Sequence, residues 1–279
     1  MFDRVVVSTN ENLDFLNFVP IVSKAWDKFF PESSLSIAFV SNRVETDDLV
    51  IKMKNYGDVY IFPEVDGIPT AGHAKMARYI LASKYENEVC MIEDIDTIPL
   101  QREYFENRTS FHQRDKILGV GKEVYSNTKL KKNFPASTTT ATGEVFKKIL
   151  NPLNLSDTEL VKYFAQEYPS TGFGGEEPDH SQAYGCPFSD EFLMRLLIEK
   201  WGGEVVHVKR DVDIRKDWVD RGWWNIDLNK LFSEKYVTCN FLINMEKNFL
   251  NIFPILHFIY GEPPVMSKSI LIKNSEYEG

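Results

Sequence analysis

Residues 89–96 read Val-Cys-Met-Ile-Glu-Asp-Ile-Asp: an unbroken apolar run that ends in three carboxylates. An apolar run without alternation reads as a strand buried on both faces of a sheet. Carboxylates cannot be buried uncompensated at a tolerable free-energy cost, so these acids belong at the mouth of the sheet, against something cationic. In open α/β sheets that mouth, at the carboxyl ends of the strands, is where ligands bind. Asp94 and Asp96 are two positions apart, which in an extended segment directs both to the same side. Two hard oxygen donors on one side suit Mn²⁺ or Mg²⁺, an ion that can also hold phosphate oxygens. A solvated loop start or a helix cap is the plainer reading, and the apolar lead-in weighs against it.

Other residues offer chemistry by type and spacing. Lys75 and Arg78 are three apart and share one helix face, either as a solvated face or as a cationic surface for an anion. Asp190 and Glu191 open an apolar-periodic segment, where acids cap a helix and favour its dipole, or serve as proton acceptors. Trp223 and Trp224 follow Arg221-Gly222; tryptophan faces stack on sugar rings and equally fill cores. His257 lies inside an apolar run, as a core histidine or as an imidazole ligand. Thr9 and Asn10 close the first strand, and Asn42 closes the second.

The elements that must position these residues alternate in the first hundred positions. Strands are expected over 5–8, 35–40, 59–62 and 89–92, and helices over 14–29, 45–55 and from Pro69 to about 85. Strands alternating with helices imply βαβ units and a mostly parallel sheet. Further on, a strand is expected over 117–120, a polar Thr-rich surface turn within 132–142 and a helix over 143–150. A long Gly- and Pro-rich loop over 170–187 has the length of a lid. A capped helix to Trp201 stops at Gly202-Gly203 and leads to a strand over 204–208. The fold class is therefore α/β: a single domain built on a Rossmann-like, mostly parallel central sheet flanked by helices.

Composition narrows the partners. The 279 residues carry a net charge of -9, which argues against nucleic acid, since phosphate neutralisation needs clustered Lys and Arg. Lys129, Lys131 and Lys132 form a tight basic group that reads as a solvated loop. The three cysteines, Cys90, Cys186 and Cys239, make no CxxC pair and fit a reducing, cytoplasmic setting. The start enters a strand at once, without a visible signal peptide. The longest apolar stretch, 249–260, falls short of the roughly 20 residues a bilayer requires, so a soluble protein is expected.

The order of these segments resembles the nucleotide-sugar glycosyltransferases of the GT-A fold, over roughly residues 4–262. The resemblance rests on Met91-Ile92-Glu93-Asp94-Ile95-Asp96 about a hundred residues in, and on the Lys75/Arg78 helix before it. It rests also on Phe134-Pro135-Ala136 with Gly143-Glu144-Val145-Phe146, on 190–203, and on Leu256-His257-Phe258-Ile259-Tyr260-Gly261. It implies a metal-dependent transfer of a sugar from a nucleotide-diphosphate sugar, of the UDP class, to a hydroxyl of a glycan or other acceptor. It divides the chain into a nucleotide-sugar half (1–100), an acceptor half (101–262) and a tail (263–279). Asp96 with His257 and Asp94 would hold the metal, and Asp94 would also contact ribose, with Glu93 a supporting charge. Thr9, Asn10 and Asn42 would contact base and ribose, and Lys75 or Arg78 the diphosphate. Asp190 or Glu191 would be the base of an inverting reaction or would stabilise an oxocarbenium-like centre, with Trp223 and Trp224 against the acceptor.

Other classes compete. The haloacid-dehalogenase-like phosphatases also tip a strand with DxD, but their pattern is DxDx[T/V]; here Thr97 comes one position early and Ile98 takes the Thr/Val place. A sugar nucleotidyltransferase wants a Gly-rich basic loop after the first strand, which Ser8-Thr9-Asn10-Glu11-Asn12 is not. A non-catalytic carbohydrate-binding protein on the same fold is the third alternative.

Overall fold

The computed structural model describes residues 2–125, 133–171, 190–212, 218–219, 228–240 and 249–261. The chain runs β1 (Arg4–Asn10), α1 (Leu13–Leu16), α2 (Val19–Phe29), β2 (Ser34–Val40), α3 (Asp48–Met53), β3 (Asp58–Phe62), α4 (Thr70–Ala82) and β4 (Val89–Ile92). It continues through β5 (Thr97–Pro99), α5 (Arg102–Thr109), β6 (Ile117–Val120), β7 (Thr139–Thr142), α6 (Gly143–Leu150), α7 (Asp157–Glu167), α8 (Asp190–Trp201) and β8 (Val205–Val208). After these come β9 (Trp218–Val219), α9 (Leu228–Phe232), β10 (Thr238–Asn240) and α10 (Phe249–Tyr260).

The main sheet has the order β3-β2-β1-β4-β7-β6-β8. β1 pairs in parallel with both β2 and β4, so the strand order reverses direction between β1 and β4. A crevice at the carboxyl ends of two such strands is the ligand position of this class of sheet. Val5 to Val7 of β1 and all of β4 are apolar because both faces are covered. Val5, Val7 and Met91 point into one core, with Trp26, Phe30 and Phe105. Val6, Cys90 and Ile92 point into the other, with Met76, Ile80 and Phe146. At about 1.5–3 kcal/mol for each fully buried large apolar side chain, these two layers fix the strand register that aims the acidic segment.

Three expectations are corrected. The helix expected over 14–29 is two helices, because Pro20 lacks an amide hydrogen and fits only a first turn, so α2 begins anew at Val19. The Thr-rich stretch is a buried strand rather than a surface turn: β7 lies antiparallel between β4 and β6, with every residue buried. Threonine suits a pleated strand because it is β-branched, and two of the three hydroxyls in β7 find partners there, while Thr140 Oγ1 has none. Thr139 Oγ1 donates to the Pro135 carbonyl at 2.6 Å and Thr142 Oγ1 to the Arg114 carbonyl at 3.1 Å. Finally, Asp94 to Thr97 is a turn rather than extended chain, closed by Thr97 N–H donating to the Asp94 carbonyl at 3.0 Å. The chain must leave β4 there and enter β5, which joins a second small sheet of order β5-β10-β9. No described helix is long and apolar enough to cross a membrane.

Candidate active site

A cavity of about 450 Å³ opens where β1 and β4 end, lined by Ser8, Thr9 and Asn10 from β1 and by Asp94, Ile95 and Asp96 beyond β4. α4 crosses beside it and presents Ala71, Ala74, Lys75 and Arg78, while the start of α8 contributes Asp190 and Glu191. The α4 residues lie at helical spacing on one face: two alanines leave room and two cations line it. That small-and-basic stripe was visible in the sequence, but only its basic half stood out.

Arg78 organises the floor. Its side chain is 3% exposed, and its Nη2 is 2.6 Å from Asp190 Oδ2. Nη1 donates to the Glu93 carbonyl at 2.8 Å and pairs with the Asp94 carboxylate. Burial alone would lower the guanidinium's pKa, but Asp94 and Asp190 outweigh it and hold the group charged. Asp190 is itself only 8% exposed, so this pair ties α4 to α8 inside the protein.

Glu93 differs from its expected role. It is fully buried, and burial pushes its carboxyl up to about 8 against the opposing hydrogen bond from Thr138. Thr138 Oγ1 donates to Oε1 at 2.6 Å, whereas Oε2 has no hydrogen-bond partner. Near neutral pH Glu93 is thus mostly an uncharged acid that fastens the acidic segment to the chain entering β7. Thr138 went unnoticed in the sequence because its partner is 45 residues away.

Glu191 is partly exposed, and its Oε2 lies 3.5 Å from Asn133 Nδ2. Thr9 is almost fully buried, and its hydroxyl donates to the Asn10 carbonyl at 3.1 Å. Asn10 Nδ2 donates to Thr70 Oγ1 at 3.1 Å, joining the end of β1 to the start of α4. Phe15 from α1, which helical spacing marks as an apolar helix residue but not as a site residue, adds an aromatic wall.

Two expected site residues do not line this cavity. Asn42 is exposed and ties the segment after β2 to the segment after β3, accepting from the Glu64 backbone N–H at 3.1 Å and donating to its carboxylate at 3.2 Å. His257 sits on α10, which packs against α2 and α9, and its ring meets Phe232 edge-on with centroids 5.7 Å apart. The apolar run around His257 folds as a helix and carries the imidazole into that layer, away from the acidic turn. Trp223, Trp224 and the Gly-rich loop at 172–175 lie outside the described residues, as do the basic group at 129–132 and the tail.

Asp94 and Asp96 both line the cavity, beside Asp190 and Glu191. Among the described residues no group of three His, Cys, Asp or Glu side chains stands together as a metal set. Two carboxylates still fit a Mg²⁺ or Mn²⁺ ion that fills its remaining positions with phosphate oxygens and water.

No protein family matches the chain, and no curated protein matches it in sequence. Among solved structures it is similar to the galactosyltransferase LgtC in complex with donor and acceptor sugar analogues. The identity is 8%, the TM-score 0.52, and the match covers 95% of this chain and 98% of that one. An active-site mutant of LgtC aligns at 10% identity and TM-score 0.48, over 85% of this chain and 86% of that chain. S. aureus TarS in complex with UDP-GlcNAc aligns at 11% identity and TM-score 0.37, over 99% of this chain and 78% of that one. The first of these likenesses shows the fold: the α/β architecture expected from the sequence is that of a galactosyltransferase over nearly the whole chain.

Proposed function

We propose that this chain is a metal-dependent glycosyltransferase that passes a sugar from a nucleotide-diphosphate sugar, of the UDP class, to a hydroxyl of a glycan or other acceptor. The observation that carries the reading is the convergence of Asp94, Asp96, Lys75 and Glu191 on one cavity between β1 and β4. The fold shared with a galactosyltransferase supports the reaction class.

Asp94 and Asp96 hold Mn²⁺ or Mg²⁺ in this reading, without His257. Such an ion, when bound, supplies Lewis-acid stabilisation of the departing diphosphate. Arg78 is committed to Asp94 and Asp190, so its part is to orient those carboxylates, and Lys75 is the side chain that offsets diphosphate charge. Thr9, Asn10 and Phe15 form the wall against which base and ribose rest.

Glu191 is the proposed general base, taking the acceptor hydroxyl's proton as that oxygen attacks the anomeric carbon. Asp190 is the poorer candidate of the two. Protonating it would cancel a charge that the buried Arg78 guanidinium needs as compensation. Trp223 and Trp224 remain the proposed acceptor contacts.

A thermal-shift series with UDP, GDP and dTDP, each with and without Mn²⁺, tests the reading. Stabilisation by UDP that requires Mn²⁺ is the expected result. No stabilisation by any of the three nucleotides would contradict it.

A further inference from the structure

Thr138 holds a backbone conformation that its residue type disfavours. Its φ is +52°, in the left-handed region. Among the described residues Asn154, Asp211 and Glu234 share that region, and Thr138 is the β-branched member of the group. A β-branched side chain there is a genuine outlier, whereas glycine reaches the same conformation without steric penalty. Such an outlier persists only where its surroundings over-determine it, and outliers of this kind gather at functional sites.

The surroundings constrain Thr138 from both sides. Before it, the Ala136 carbonyl accepts from the Tyr79 hydroxyl at 3.0 Å, and the Pro135 carbonyl accepts from Thr139 Oγ1 at 2.6 Å. After it, Thr139 pairs with Ile92 across the sheet. What threonine has and glycine lacks is a hydroxyl, and that hydroxyl donates to the fully buried Glu93 carboxyl at 2.6 Å. The Glu93 N–H donates to the Val6 carbonyl at 3.0 Å where β4 ends, and the turn carrying Asp94 and Asp96 begins at the next residue. The other end of the same segment meets Glu191, whose carbonyl accepts from the Phe134 N–H at 3.2 Å. Ala136, between the two ends, lines the cavity. Residues 134–138 thus join the acidic turn to the start of α8.

We propose that Thr138 is a positioning residue: its hydroxyl, aimed by the left-handed backbone, locks Glu93 and so sets the turn from which Asp94 and Asp96 meet the metal and the diphosphate. The proposal rests on the transferase reading for the identity of the ligand, and on the geometry alone for the lock.

Three variants of the full chain test it. Thr138→Gly removes the hydroxyl and relaxes the backbone, Thr138→Val removes the hydroxyl and keeps the branched shape, and Thr138→Ser keeps the hydroxyl. Two readouts are compared: backbone hydrogen exchange over residues 94–97 without ligand, and calorimetric binding of UDP in the presence of Mn²⁺. Thr138→Gly and Thr138→Val should both exchange faster over 94–97 and bind UDP about fivefold or more weakly, while Thr138→Ser should match the parent in both. In Thr138→Gly the exchange of β2 and the unfolding midpoint should stay near the parent's, because relief of the left-handed strain offsets the lost hydrogen bond. The valine variant separates loss of the hydroxyl from added glycine flexibility, and the glycine variant serves if the valine variant does not fold.

Unchanged exchange over 94–97 in the hydroxyl-free variants would overturn the proposal, as would a serine variant no better than they are. Parent-like UDP binding by the hydroxyl-free variants would also overturn it and leave the transferase reading standing. A parent chain that binds no UDP with Mn²⁺ would overturn both.

Discussion

Arg78 and Asp190 are 112 residues apart in the chain and 2.6 Å apart in the fold, joined in an ion pair that is buried on both sides. The pair closes α4 against α8 beside the acidic turn, and the same guanidinium steadies the Glu93 carbonyl and the Asp94 carboxylate. Removing one partner of a buried pair leaves the other charge uncompensated. Arg78→Met should therefore cost about 3–5 kcal/mol in urea denaturation, whereas Arg78→Met combined with Asp190→Leu should recover much of the loss. Arg78→Lys should behave like the methionine variant, because one ammonium cannot reproduce the planar fork that reaches both carboxylates.

Lys75 shares the α4 face with Arg78 but is only partly buried. Lys75→Ala should leave the unfolding midpoint within the small range of surface substitutions, about ±0.5 kcal/mol. Steady-state kinetics with the nucleotide sugar should show KM rising about tenfold or more. A loss of stability with unchanged KM would place Lys75 in the scaffold instead.

The neighbours Asp190 and Glu191 should separate by the kind of defect they produce. Glu191→Gln should lower kcat by about 10²–10⁴ with near-normal folding, the usual worth of a general base. Asp190→Asn should show first as lost stability, because it removes charge from the Arg78 pair. The reverse pattern would exchange their roles.

The sequence carried the sheet and its acidic tip well, because Val5 to Val7 of β1 and all of β4 are unbroken apolar runs and the carboxylates that follow β4 had nowhere else to go. It carried less where chemistry hides periodicity. β7 is built of Thr139, Thr140, Ala141 and Thr142, which look like a polar turn although all four are buried and the Thr139 and Thr142 hydroxyls find backbone carbonyls. α7 was not among the expected elements, although Ser156 and Glu159 form a capping box at its start. The cationic helix face was legible, but not its division of labour: that Arg78 faces Asp190 depends on the packing of α4 against α8, which no local pattern encodes. His257 failed in the cavity for the same reason, since a position late in the chain does not fix which side of a helix meets the site.

His73 makes stability depend on pH. It is almost fully buried on α4, edge-on to Phe62, and neither ring nitrogen has a hydrogen-bond partner. Burial lowers its pKa to about 4 from 6.5, with Asp157 opposing weakly. Between those values the unfolded chain binds more protons than the folded one, so stability falls as pH drops from about 6.5 to 4, by up to about 3 kcal/mol. Urea midpoints measured over that range should show the parent losing stability relative to His73→Leu as the pH falls. Parallel curves would show that His73 does not titrate differently on folding.

The most direct measurement of the central claim is Mn²⁺ electron paramagnetic resonance with UDP, on the parent chain and on Asp96→Asn and His257→Ala. Asp94 and Asp96 share one cavity and His257 lies outside it. The account expects Mn²⁺ to be bound in the presence of UDP by the parent and by His257→Ala, and binding to be at least tenfold weaker in Asp96→Asn. Equal Mn²⁺ binding by Asp96→Asn and the parent, or loss of binding in His257→Ala alone, would contradict it.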